Sequence, residues 1–64
     1  MTTLNIEQYS FVGQVTNGLV FFESAGIRAW LLDCADANRH EPVIQDTFRE
    51  IAIRIRDAEQ KARS

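Results

Sequence analysis

Phe11-Val12-Gly13-Gln14-Val15-Thr16-Asn17-Gly18-Leu19-Val20-Phe21-Phe22 is the stretch that decides between an all-helical and a mixed fold. Asn-Gly is the strongest short hairpin signal, because both central residues of a type I′ turn need positive φ. With the turn at Asn17-Gly18, Val15 faces Val20 and Gly13 faces Phe22. Phe11, Val15, Val20 and Phe22 then share one face, with Gly13 leaving room for the Phe22 ring. Gln14, Thr16 and Glu23 occupy the other face, blurred by Val12, Leu19 and Phe21. The competing all-α reading takes Val12, Val15, Leu19 and Phe22 as a helical stripe. Two glycines among β-branched and aromatic residues favour a β-hairpin over about 9–23.

Immediately after the hairpin, Ser24 offers a side-chain cap for a helix over about 25–37, with Ile27, Trp30, Leu31 and Cys34 on its apolar face. Asp36-Ala37-Asn38-Arg39-His40-Glu41-Pro42 breaks that helix, and Asn38 suits a left-handed closing conformation. Pro42 fits the first turn of a second helix, where its missing N–H would have no partner anyway. Ile44, Phe48, Ile51, Ile55, Ala58 and Ala62 follow at alternating spacings of four and three, which predicts a helix over about 42–62. Glu50/Arg54, Asp57/Lys61 and Glu59/Arg63 are acid-before-base pairs four apart, each contributing about 0.2–0.5 kcal/mol. The short link makes the helices an antiparallel pair. The expectation is one α+β domain over residues 1–64, ββαα in order, with the β-hairpin packed on a helical hairpin. An isolated two-stranded hairpin is marginal in water, so its apolar face must meet either the helices or a second copy of itself.

Composition excludes several function classes. A chain of 64 residues that is 45% hydrophobic and 25% charged is an ordinary globular domain with a thin core, burying only about 60% of the surface its unfolded form exposes. A separate cofactor domain has no room. Seven basic and nine acidic residues give a net charge of −2, the wrong sign for non-specific phosphate binding. The longest strongly apolar run, Leu19 to Phe22, is far short of the roughly 20 residues that span a bilayer, and the N-terminus lacks the positive region of a signal peptide. One cysteine cannot form an internal disulfide, which points to a reducing, cytoplasmic compartment.

Each constellation that might carry chemistry has a plainer explanation. Cys34 and His40 are the only thiol and imidazole, but Cys34 lies on an apolar face and His40 in the link. Asp33, Asp36 and His40 stand at i, i+3 and i+7, three potential ligands without a fourth. Gly13, Gly18 and Gly26 fit no phosphate-loop spacing. The expectation is no enzyme, no metal and no cofactor. Arg49, Arg56 and Arg63 repeat every seven residues, roughly 10.5 Å apart per step, and could meet an anion or an acidic partner. Interleaved acids make a solvated flank the simpler reading, and a nucleic-acid-binding regulator using that line is the alternative function.

The informative feature is an apolar surplus. Ile53 lies nearly opposite the Ile44–Ala62 stripe, Val43 lies outside it, Leu32 is off the first helix's apolar face, and Leu19 and Phe21 are off the hairpin's. So short a chain cannot bury them all. These residues, with Trp30 either among them or in the core between the helices, predict a surface for a protein partner or a second copy. The expected function is a non-enzymatic protein-binding module, homodimeric, that covers a surface of a larger partner as an inhibitor, antitoxin-like protein or adaptor.

Overall fold

The computed structural model describes residues 1–63, apart from the side chains of Gln14, Val20 and Phe21. Its elements are a 3-10 turn at Ile6–Gln8, strands β1 (Val12–Thr16) and β2 (Leu19–Phe22), and helices α1 (Ser24–Ala37) and α2 (Pro42–Arg63). The order is ββαα, a two-stranded antiparallel sheet followed by two helices packed on one another.

The turn is the one the dipeptide demands: Asn17 has φ 53° and Gly18 φ 77°, the two positive values of a type I′ turn. Val15 pairs with Val20 as expected, but Gly13 does not face Phe22. Pairing slips between Val12 and Gln14, so Val12 faces Phe22 and Gly13 becomes the extra residue of a bulge. A glycine inside a strand commonly marks such a site, since it adopts the local kink without side-chain strain. The shared aromatic face survives the slip, with the Phe11 and Phe22 rings stacked at 6.1 Å. A bond from the Glu23 N–H to the Phe11 carbonyl closes the open end of the hairpin.

That last bond keeps Glu23 extended and makes it the residue preceding α1, without a side-chain cap bond. Ser24 is therefore the first helical residue rather than the cap. At the other end Asn38 is not left-handed; its φ is −110°, and its buried side chain does a different job. Asn38 Oδ1 accepts from the Thr2 N–H, while Nδ2 donates to the Thr2 and Cys34 carbonyls. The amide thus matches both polar groups of one extended residue and ties the N-terminal segment to the end of α1.

The core is one helical seam plus a strap. Leu31, Cys34 and Ala35 of α1 and Ala52 of α2 are buried. The face of α2 turned to α1 runs Ile44, Phe48, Ala52, Ile55 and Glu59, each buried or half-buried. This corrects the expected stripe: Ile51, Ala58 and Ala62 are exposed, because the small Ala52 occupies the seam where two helices approach and turns its neighbours to the flanks. Residues 2–11 run over one flank of α1. Trp30 Nε1 donates to the Leu4 carbonyl at 2.8 Å, and its ring stands edge-on to Phe48 at 6.4 Å. Farther along, a Cβ at Gly26 would overlap the Ser10 carbonyl, so only glycine admits the crossing chain.

The resulting molecule is flat. Its Cα extents are 43 × 28 × 11 Å and its radius of gyration is 13.2 Å, against about 10.7 Å for a compact globule of this length.

Candidate interaction surface

The two flanks of α1 differ. Gly26, Trp30 and Asp33, spaced four and three apart, lie beneath the N-terminal strap. Tyr9 Oη donates to Asp33 Oδ2 at 2.6 Å. This bond, helped by desolvation and the negative charge of Asp33, pushes the Tyr9 hydroxyl up to about 12. Arg28 and Leu32 occupy the opposite flank, where Leu32 is exposed. With Ala52, Ile53 and Arg56 of α2 they line an open groove of about 130 Å³.

The middle of this groove is apolar. Leu32 is 44% exposed and Ile53 46% exposed, with Ala52 buried between the helices. At one end Arg28 makes a two-pronged contact across the helices, with Nε and Nη2 donating to Glu59 Oε1 and Oε2 at 3.0 and 3.2 Å. This planar fork is the strong form of the arginine–carboxylate pair, and it engages Glu59, expected to pair with Arg63 along α2, across the two helices instead. Its signal in the sequence is an acid at the seam position four beyond Ile55. The expected Glu50/Arg54 pair forms, at 2.9 Å and exposed.

The structure therefore brings together two of the six residues expected at an interface, Leu32 and Ile53. Val43 is 80% exposed in the first turn of α2, away from the groove. Leu19 is exposed beside the hairpin turn, and the Phe21 side chain lies outside the described residues. Trp30 is engaged within the chain, between the strap and Phe48. Three further apolar side chains, Val12, Val15 and Phe22, are exposed on the hairpin beside Leu19. The sequence reading expected the face with Val15 and Phe22 to meet either the helices or a second copy; in the single chain these two side chains are 68% and 64% exposed.

Of the arginine line, Arg56 borders the groove and approaches Asp57 at 3.6 Å, while Arg49 and Arg63 are exposed. Cys34 is completely buried and His40 is exposed in the link between the helices, so the two do not form a nucleophile–base pair. Among the described residues no group of three His, Cys, Asp or Glu side chains is placed to share a metal ion; Asp33 is occupied by Tyr9. Among the described residues no helix is long and apolar enough to cross a membrane. No family model matches the chain, and neither a curated protein nor a solved structure matches it.

Proposed function

We propose that this chain is a non-enzymatic protein-binding module that works as a homodimer and acts by covering a surface of a larger partner. One observation carries the reading: the chain exposes too much of itself. Its accessible surface is 4932 Å² for a mass of 7.3 kDa, where a folded monomer of that mass exposes about 4,200 Å². The surplus is apolar in the places that matter, Leu32 and Ile53 on the helices and Val12, Val15, Leu19 and Phe22 on the hairpin. Burying such a side chain from full exposure gains about 1.5–3 kcal/mol, and these, 44–68% exposed, have roughly half of that to gain. Two separate patches suit two associations, one with a copy of the chain and one with a different protein.

The sealed thiol and the exposed imidazole support a binding role over a catalytic one. A lone reduced cysteine in so small a domain supports a cytoplasmic setting. Sedimentation velocity across a concentration series tests the dimer. The expected species has twice the 7.3 kDa chain mass; a single-chain mass throughout the series would overturn the reading.

A further inference from the structure

We propose that the bare face of the helical layer, centred on Leu32 and Ile53, is the seat of a second copy of this chain. The copies dock about a twofold axis, so that two α1–α2 pairs become the two layers of a four-helix core. This assignment rests on the homodimer reading above and specifies which surface makes it.

The first argument is layering. Domains bury their helices between two packed layers, and here one layer is covered on one side only. Thr2, Leu4, Tyr9 and Ser10 lie against Asn38, Trp30, Asp33 and Gly26, while on the opposite flank Leu32 and Ile53 stand half-exposed around an open groove. A Cα thickness of 11 Å confirms that the helices have no second layer of their own.

Area is the second argument. The surplus over a compact monomer, shared between this face and the hairpin, is roughly 750 Å², comparable with the roughly 800 Å² that each partner contributes to a standard stable interface. A second copy supplies a match of that size, because a twofold contact presents the same patch from both sides. Each copy carries both halves of the fit: the half-exposed Leu32 and Ile53 side chains, and the groove beside them floored by Ala52.

The third argument concerns charge and separates a second copy from an acidic ligand. Arg28, the cation nearest the apolar centre on α1, is already neutralised by both carboxylate oxygens of Glu59. Closing this face therefore strands no unpaired cation, which is the usual obstacle to burying arginine. Arg56 remains beside Asp57, consistent with a polar rim around an apolar centre. The hairpin lies outside this contact and stays free for the larger partner.

Sedimentation of the full chain with Ile53→Asp, Leu32→Asp and Val15→Asp tests the assignment. The first two should weaken dimerisation at least a hundredfold while helical circular dichroism persists, since both positions are already half-exposed in the single chain. Val15→Asp, on the hairpin, should leave the dimer intact. A wild-type dimer that survives both helix substitutions, or that Val15→Asp dissociates, overturns the assignment and leaves the homodimer reading standing. A wild-type monomer overturns both. Should the helix variants fail to fold, isotope-filtered NMR on mixed labelled and unlabelled wild-type chains decides. Intermolecular contacts at the Leu32 and Ile53 methyls support the assignment, and their confinement to Val15 and Leu19 refutes it.

Discussion

Removing the Asn38 side chain should detach the N-terminal strap. Asn38 is 2% exposed, and its amide makes contacts of 2.6, 2.6 and 2.7 Å to Thr2 N–H, Thr2 C=O and Cys34 C=O. A typical intramolecular hydrogen bond contributes about 0.5–1.5 kcal/mol net of the water it replaces. The Thr2 groups are only partly buried and recover some solvation once released. Asn38→Ala is therefore expected to cost about 2–3 kcal/mol, a large share of what a domain this size holds, and to lower Tm by roughly 10–20 °C. Urea titrations followed by circular dichroism and by Trp30 fluorescence give both the loss and its origin. Trp30 is held against the Leu4 carbonyl, so release of the strap should shift its emission to the red before the helices melt. Asn38→Asp sharpens the test, because it keeps the acceptor for the Thr2 N–H but sets a carboxylate oxygen against two carbonyls. It should be at least as damaging at neutral pH and recover partly as the pH falls towards about 4, because two facing carbonyls favour the protonated acid, which regains a donor. Losses under about 0.5 kcal/mol for both variants, with unchanged emission, would refute the strap as a stabilising element.

Gly26→Ala pits two effects against each other. A helical Ala gains about 0.5–1 kcal/mol over Gly, but the added Cβ would overlap the Ser10 carbonyl, and overpacking of that kind costs about 1–3 kcal/mol. A net loss is expected in thermal melts, and a stabilised variant would show that the strap does not cross there. Tyr9 gives a pH test. Its hydroxyl ionises near 10 in the unfolded chain and is raised to about 12 in the fold by its bond to Asp33. Its contribution to stability is thus whole below pH 10 and is lost as the pH rises through about 12. Phenolate absorbance should show the delayed ionisation in wild type and a midpoint back towards 10 in Asp33→Asn; identical curves would refute the contact.

What was legible in the sequence was local. Asn17-Gly18 specifies its own turn through the φ values it tolerates, and Pro42 starts a helix because of what its backbone lacks. What was not legible depended on where one element meets another. The slip at Gly13 is set by the Phe11–Phe22 stack and the bond that joins Glu23 to Phe11, neither of which alternation along a strand reports. Choosing Ala52 over Ile51 for the seam depends on how closely two backbones approach, whereas a hydrophobic pattern always nominates the larger side chain. Asn38 reads as a helix stop from its type alone, and its role appears only once Thr2 lies beside it. Leu32 and Ile53 were each visible as apolar residues out of phase with their helices. Their convergence on one groove follows from the rotation of α1 against α2, which the residues of neither helix encode alone.

The complete burial of Cys34 gives this chain a built-in clock. A thiol reagent can reach that sulfur only while α1 and α2 are parted, so at slow labelling the modification rate reports the population of the breathing state. With one cysteine in the chain, every labelled molecule records the same opening event. Plotted against protein concentration, that rate would fall wherever association holds the seam shut and stay level wherever it does not.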